Sequence, residues 1–164
     1  MEGEYELDEG ELVAVTRPQR RHGKVCARLT LLLGTHCETT GQGEVLCNDT
    51  GFLLGTSPDT LRGPDVAVLL THRLEGLELN GWPDGAPDVV AEVVSPSDRP
   101  GEIQRKVGQY LDAGARLVWV LYPERRVVCC YADNGLVQIV QGDQLLDAGQ
   151  VLPGFSCRLS NLFD

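Results

Sequence analysis

The sequence predicts an α/β fold: a mixed β-sheet flanked by helices, with additional strands toward the C-terminus. Two observations support this prediction. Apolar runs of strand type alternate with amphipathic helical segments along the chain. In addition, one helical segment connects the strands expected at residues 88–94 and 117–122. Such a crossover places two strands parallel in one sheet and packs the helix on one face of it.

Length and composition favour one globular domain over residues 1–164. Apolar residues make up 42% and charged residues 23% of the chain, close to globular averages. The net charge of −10 argues against a generally basic surface for nucleic acid. It does not exclude a nuclease, because carboxylates that hold a cation contribute to the negative total and a local basic patch can coexist with it.

The six cysteines form no CxxC pair, and the three histidines do not follow them at zinc-finger spacing, which argues against a zinc site. No apolar segment precedes the fold, and no apolar run reaches membrane-spanning length. We therefore expect a cytoplasmic protein without a membrane partner, with reduced and mostly buried thiols.

The N-terminal part divides into an acidic and a basic stretch. Residues 1–11 are strongly acidic and are expected to be loosely ordered, and residues 12–15 are predicted to form a short strand. Basic residues cluster between Arg17 and Arg28. A helix is predicted over residues 22–34, with Gly34 as its end. The basic cluster could guide a phosphate backbone, although a solvated helix face is the commoner role.

The next segments are predicted to be mainly strands. Residues 44–47 and 51–54 are predicted to pair as a hairpin across Asn48 and Asp49. Residues 56–63 are expected to be a loop, and residues 66–70 a third strand. Residues 71–85 are rich in Gly and Pro, which predicts a loop with at most a short helical turn near residues 74–77.

The second half contains the predicted centre of the sheet. A strand at residues 88–94 leads into a helix that starts near Ser97 or Asp98 and ends at Gly114. Residues 117–122 are almost entirely apolar, which is typical of a strand covered on both faces. Residues 127–131 and 136–140 are predicted to form a hairpin, and the tail short strands with a turn at residues 153–154.

Glu92 breaks the apolar pattern of its strand. Its neighbours Val90, Ala91, Val93 and Val94 are all apolar. A buried charge is costly unless it is paired or binds a metal, so this carboxylate is a candidate for a functional site. The alternative is that Glu92 faces water on a half-exposed strand.

A second carboxylate follows the same local pattern. Asp65 and Asp88 each follow a proline at the start of a predicted strand. If the two strands are neighbours, Asp65 and Glu92 can converge as a hard-oxygen site suited to Mg²⁺. Lys106, one of only two lysines in the chain, lies on the helix directly after the Glu92 strand and could supply a positive charge.

These residues resemble those of a known family. The motifs are Pro64-Asp65-Val, Pro87-Asp88-Val-Val-Ala-Glu92-Val-Val-Ser95-Pro96-Ser97, Lys106-x-x-x-Tyr110-x-x-x-Gly114 and Val118-Trp119-Val120. Together they are similar to the restriction endonuclease-like family called domain of unknown function 820 (DUF820), over nearly the whole chain. That family belongs to the PD-(D/E)XK nuclease-like superfamily, so the resemblance implies a restriction endonuclease-like sheet with a magnesium site at its edge.

The resemblance also implies roles for single residues. Asp65 and Glu92 correspond to the metal ligands, and the Val93 carbonyl is a further candidate ligand. The superfamily's lysine usually lies two residues after the acidic residue, where this chain has Val94. In the narrower family the lysine comes from the following helix, which corresponds to Lys106 and makes Asp65, Glu92 and Lys106 the candidate catalytic set.

Three further residues are second-rank candidates. Glu44 and His22 could complete the site, although surface positions are the commoner role for both. Asp88 could bind metal, but after Pro87 it is more typical of a turn cap. Tyr110 is expected to be a core ring, and the serines of residues 95–97 are expected to shape the turn, because no histidine lies at a position that suggests a Ser-His nucleophile.

The sequence therefore predicts a Mg²⁺-dependent DNA endonuclease, with Mn²⁺ as a possible substitute ion. A homodimer is expected, because such nucleases often act in pairs on duplex DNA and the C-terminal strands offer an edge to share. The alternative is a catalytically inactive module that keeps the nuclease fold for binding or assembly. The DNA sequence or structure recognised does not follow from these residues.

Overall fold

A computed structural model describes residues 4–164. In chain order its elements are β1 (Glu4–Asp8), β2 (Glu11–Val15), α1 (Arg20–Thr40), β3 (Gly43–Cys47), β4 (Phe52–Gly55), β5 (Thr60–Arg62), β6 (Val66–Leu70), α2 (Thr71–Leu74), β7 (Val89–Val93), α3 (Pro100–Asp112), β8 (Leu117–Tyr122), β9 (Val127–Ala132), β10 (Val137–Gln141), β11 (Leu145–Asp147), β12 (Ser156–Arg158) and α4 (Leu159–Phe163).

The central sheet is mixed, as the sequence predicts. Its six strands lie in the order β10-β9-β8-β7-β6-β3. Strands β7 and β8 are parallel because α3 connects them, and the other neighbouring pairs are antiparallel. The α/β class, the flanking helices and the parallel crossover are thus confirmed.

Helices cover both faces of this sheet. Ala91 and Trp119 pack on the face that carries α1 and α4, and Val90 and Val120 pack on the face that carries α3. The two sets alternate along each strand because successive side chains point to opposite faces. Both faces of β7 are therefore buried, which leaves no solvent-facing side for Glu92.

Helix α1 is longer than predicted. Gly34 lies inside the helix, which ends at Gly41, where φ is 67° and the backbone N–H donates to the Cys37 carbonyl. An internal glycine costs only about 1 kcal/mol relative to alanine. The apolar face of α1 remains buried through Leu29, Leu33 and Cys37, so packing outweighs that cost. Among the described residues, no helix is both long and apolar enough to cross a membrane.

The predicted hairpin of residues 44–47 and 51–54 is wrong. Strand β3 pairs with β6 in the central sheet, whereas β4 pairs with β5 in a separate sheet of order β2-β1-β5-β4. Asn48 and Asp49 both have positive φ and form the bend between the two sheets. The turn residues were therefore recognised correctly, but their strands have other partners.

The N-terminal stretch also differs from expectation. Residues 4–8 form β1, which pairs antiparallel with β2 and contacts β5, itself predicted to be loop. The expectation of a loose start is thus wrong for residues 4–11, and residues 1–3 lie outside the described residues. Strand β1 also buries Glu6 against Arg62 of β5.

The tail adds a small sheet and a helix. The β9–β10 hairpin forms as predicted, and β11 pairs with β12. Helix α4, which the sequence did not indicate, follows β12 directly and buries Leu159 and Leu162. The short helical turn expected near residues 74–77 forms slightly earlier, as α2.

Candidate functional site

A cavity of about 640 Å³ opens where β7 ends and α3 begins. Its walls come from the separate four-stranded sheet of order β2-β1-β5-β4, the start of α1 and the face of α3. The predicted residues that line it are His22, Asp65, Glu92, Val93 and Lys106. The structure therefore brings together the three candidate catalytic residues, the candidate carbonyl ligand and one second-rank residue.

Asp65 lies immediately before β6 and opposite the end of β7. Val66 pairs with Ala91, so the same register extended by one residue places Asp65 across from Glu92. One oxygen, Oδ2, accepts the Val93 backbone N–H at 2.7 Å, and the other, Oδ1, lies 3.1 Å from His22 Nε2. A carboxylate has about four lone-pair positions, so both oxygens can still bind a cation.

Glu92 is buried, with 6% of its surface exposed, so the alternative of a water-facing side chain is wrong. Its Oε1 accepts the Tyr110 hydroxyl proton at 2.7 Å. Its Oε2 lies 3.7 Å from Lys106 Nζ, beyond hydrogen-bond distance. Tyr110 thus fixes one oxygen, and the other remains available toward the cavity.

Negative charge accumulates around Glu92. Burial raises the pKa of Glu92 above its ordinary value, and Asp65 adds to that rise while the Lys106 ammonium opposes it. Burial also raises the pKa of Asp49, another carboxylate of the cavity wall, and Asp65 contributes again. The charge of Asp65 thus adds to the effect of burial on both Glu92 and Asp49, and an added cation would oppose this negative field.

Lys106 provides the main positive charge next to Glu92. Its Nζ donates to Glu6 Oε1 at 3.1 Å. Burial lowers the pKa of Lys106, but the charges of Glu92 and Glu6 outweigh burial and raise it above the ordinary value. The side chain is therefore an ammonium at neutral pH, held between β1 and β7.

A buried ion network that the sequence did not reveal supports this lysine. Arg62 donates to Glu6 Oε2 at 2.9 Å and to Gln109 Oε1 at 2.9 Å, and its other terminal nitrogen lies 2.9 Å from Asp8 Oδ2. Glu6 and Arg62 are 56 residues apart in the chain, so no local spacing connects them. The sequence signal for Arg62 was weak: this residue directly precedes the Gly63-Pro64-Asp65 motif.

Tyr110 has more than the expected core role. The ring is fully buried on the apolar face of α3, as predicted, but its hydroxyl donates to Glu92. Lys106 lies one helical turn earlier on the same face. The spacing of the two residues could have indicated that both reach the same strand.

Two second-rank candidates lie elsewhere. Asp88 accepts the Leu70 N–H at 3.0 Å at the opposite end of β7, roughly 13 Å along the strand from Glu92 at 3.3 Å per residue. Glu44 is exposed and pairs with Leu69, also toward that end. Neither residue lines the cavity. Asp88 instead ends the β6–β7 pairing, because its carboxylate caps a backbone N–H.

A mixed sheet between helices, with acidic groups gathered at the ends of two central strands, is the architecture of restriction endonuclease-like proteins. The model of the Uma2 family, described as "Putative restriction endonuclease", matches residues 1–160. The chain therefore belongs to that family, and the resemblance drawn from its motifs is confirmed.

A solved structure agrees with this assignment at the level of the fold. It is the crystal structure of a "putative nuclease belonging to DUF820" from Anabaena variabilis, with a TM-score of 0.86 and 19% sequence identity. The similarity covers 99% of this chain and 91% of that one. A comparison with curated proteins gave no match.

Proposed function

We propose that this protein is a Mg²⁺-dependent endonuclease that hydrolyses phosphodiester bonds in DNA, with Mn²⁺ able to substitute. The observation that supports this proposal is the meeting of Asp65, Glu92 and Lys106 in one cavity. All six cysteines are free, which is compatible with the cytoplasmic location that we also propose.

The donor set fits a hard divalent cation. Asp65 and Glu92 supply carboxylate oxygens, the Val93 carbonyl is a candidate third ligand, and Mg²⁺ binds such oxygens while keeping several waters. Burial raises the pKa of Asp49 and of Glu92, and the charge of Asp65 raises both further, so negative charge is in excess where the cation would lie. The bound ion would supply an activated water and stabilise charge on the phosphate.

The protein's own residues would position that chemistry. The Val93 N–H and His22 orient Asp65, and the Tyr110 hydroxyl orients Glu92. Lys106 would place its ammonium near the attacking or leaving oxygen, where a preorganised charge acts most strongly. Glu92 and Glu6 together keep that ammonium charged, and the hydrogen bond to Glu6 restricts its movement.

DNA could approach along the start of α1. Arg20, Arg21 and Lys24 are exposed there, and they share a surface depression with His22, which also lines the cavity. The local basic patch thus adjoins the acidic site although the whole chain is acidic. Phosphate groups bound by this patch would lead the backbone toward Asp65.

Plasmid cleavage tests this proposal. The wild-type protein is expected to nick or linearise plasmid DNA with Mg²⁺ or Mn²⁺ and to lose this activity in EDTA. Lys106→Met is expected to reduce the rate on the order of 10²–10³-fold, as loss of one preorganised charge-stabilising group does. The measurement is initial cleavage rate on gels, with a thermal melt to verify folding.

The matched control for Lys106 is Arg125→Met, which removes an exposed cation outside the cavity. Its cleavage rate should stay within about twofold of wild type, because Arg125 lines neither the cavity nor the depression that holds the basic residues of α1. A folded Lys106→Met protein that cleaves at the wild-type rate would exclude the proposed role of Lys106.

A second candidate is a catalytically inactive module that retains the nuclease fold. The observation in its favour is that Arg62, Arg105 and Lys106, the lysine and arginine residues of the cavity wall, each lie within 3.1 Å of a carboxylate. Cations that are already paired attract DNA less strongly. Absence of Mg²⁺ and Mn²⁺ binding at millimolar concentration would favour this module over the enzyme.

We also propose a homodimer through the edge strand β10. The Ala132 N–H donates to the Leu136 carbonyl, so the backbone groups of residues 136 and 138 face β9. Because this direction alternates along an antiparallel strand, the backbone groups of Val137 and Ile139 point away from the sheet. Their side chains are 57% and 56% exposed. Strand β10 contains no charged residue, whereas the whole chain has a net charge of −10. A second acidic copy can therefore approach this edge and pair with it in the antiparallel direction.

Ile139→Lys tests the dimer, because it places two like charges face to face across the two-fold axis. The mass from light scattering should fall from dimer to monomer, or the dissociation constant should rise at least tenfold. Leu31→Lys, at an exposed apolar position on α1, should leave the mass unchanged. A wild-type protein that is monomeric at micromolar concentration contradicts the proposal.

A further inference from the structure

Three side chains of different ligand types, those of His22, Cys26 and Asp65, cluster beside the cavity, which His22 and Asp65 line. His22 and Cys26 lie one turn apart on the same face of α1, and that face is turned toward Asp65. Cys26 Sγ is 3.4 Å from His22 Nδ1, and His22 Nε2 is 3.1 Å from Asp65 Oδ1. With one candidate ligand atom from each residue, all the separations are within 4.8 Å.

The chemistry of this set differs from that of the magnesium site. A thiolate, an imidazole and a carboxylate are the ligands of Zn²⁺, whereas Mg²⁺ prefers oxygen. Zinc bonds of roughly 2.0–2.3 Å in a tetrahedron place ligand atoms about 3.4–3.7 Å apart. With one ligand atom from each residue the separations are within 4.8 Å, so shifts of about 1 Å in the His22 ring, the Cys26 thiol and the Asp65 carboxylate reach that geometry.

We propose that His22, Cys26 and Asp65 form a second metal site, selective for a borderline-soft ion of the Zn²⁺ type. The fourth position faces the cavity, which His22 and Asp65 both line. Such a site has three protein ligands and one open position, as catalytic zinc sites do.

The surroundings favour a cation at this position. Burial raises the pKa of the Cys26 thiol, and the charges of Asp65 and Asp49 raise it further. Burial lowers the pKa of His22, but Asp65, Asp98 and Asp49 outweigh it, so the pKa is raised. Asp49 and Asp98 line the same cavity as His22 and Asp65, so the negative charge around the cluster favours a divalent cation.

The alternative use of this arrangement is a Cys-His-Asp nucleophile. Its atoms follow the order of a catalytic triad, with the imidazole between thiol and carboxylate. A nucleophilic thiol must face its substrate, however, and Cys26 is not among the residues that line the cavity. Metal binding fits this geometry better, because an ion held between the three side chains can be reached from the cavity through His22 and Asp65.

The spacing of cysteines and histidines in the sequence argues against zinc, because it contains no zinc-finger arrangement of closely spaced pairs. Only His22 and Cys26 are close in the chain, and the third ligand comes from the start of β6. Asp65 also belongs to the proposed magnesium site. If that proposed function holds, Zn²⁺ should inhibit cleavage by engaging Asp65, but the soft-metal site itself does not depend on nuclease activity.

Cobalt absorption tests the site without any activity assay. Co²⁺ occupies zinc sites, and a cobalt–thiolate bond gives a near-ultraviolet charge-transfer band that oxygen-only ligation does not give. The reduced wild-type protein is expected to develop this band with about one equivalent of Co²⁺ and to lose it when Zn²⁺ is added. Excess Mg²⁺ alone should produce no band.

Variants assign the band to this cluster. Cys26→Ser should abolish it, whereas Cys129→Ser, at another half-buried cysteine on β9, should retain it. His22→Gln should weaken Co²⁺ binding at least tenfold, since even second-shell changes cost 10–100-fold. The His22 variant keeps the test decisive if Cys26→Ser fails to fold.

Two outcomes would overturn the proposal. One is a wild-type protein with no near-ultraviolet band at Co²⁺ concentrations that saturate its visible absorption. The other is a band that persists in folded Cys26→Ser or keeps its wild-type affinity in His22→Gln. Neither readout involves DNA, so failure of the nuclease proposal alone would leave the cobalt result as expected.

Discussion

Glu92→Gln is expected to abolish metal-dependent DNA cleavage, with a loss on the order of 10³-fold or more. The amide cannot replace the anionic ligand that Mg²⁺ requires, although its oxygen can still accept the Tyr110 hydroxyl proton. Fold and packing should persist because the side chains have almost the same shape. Calorimetric titration with Mg²⁺ or Mn²⁺ measures the loss of metal binding, and the cleavage rate measures the loss of activity.

Glu102→Gln is the matched control for this change. Glu102 lines the same cavity from α3 but is exposed, so its variant should bind metal and cleave DNA like wild type. Saturable metal binding that disappears only in Glu92→Gln favours the enzyme over the inactive module. Cleavage by Glu92→Gln at the wild-type rate would show that the assignment of the site is wrong.

Arg62→Met is expected to lower the free energy of unfolding by about 3–5 kcal/mol. Arg62 is 3% exposed, and its removal leaves Glu6 and Asp8 without their nearest buried cation. Methionine retains much of the side-chain volume, so the loss of stability reflects the missing charge rather than a cavity. Denaturant unfolding at neutral pH measures the effect.

Arg105→Met separates burial from pairing in this network. Arg105 also pairs with Asp8, at 3.1 Å, but its side chain is 50% exposed. Its replacement should cost less than about 1 kcal/mol, as is typical of exposed ion pairs. Equal losses in the two variants would show that burial of Arg62 has no special effect.

The sequence predicted the central sheet well because its signals are local. Continuous apolar runs indicated β6, β7 and β8, and the helix between β7 and β8 required them to be parallel. The pairing of β3 and β4 was predicted wrongly, because a turn motif shows that the chain bends but not which strands it joins. The partners of β3 and β4 were decided by packing between distant segments.

The candidate site was likewise predictable only where its residues carry a local signal in the sequence. Glu92 was conspicuous as a charge among apolar residues, and the family motif indicated Asp65 and Lys106. Glu6 and Arg62 carried no such signal, because each is an ordinary charged residue until tertiary contacts bury it. Cys26 was missed for the same reason, since its metal-binding potential depends on an aspartate from another element.

The contact between Glu6 and Lys106 matters for inferring activity in relatives from motifs alone. A shortened homologue that began after the first hairpin would retain the aspartate, the glutamate and the lysine of the motif. It would lack the acidic β1 residue that holds the lysine, which lies 100 positions later in the chain. Homologues with complete motifs can therefore differ in catalytic competence. For the same reason, an affinity tag is better placed at the C-terminus than next to β1.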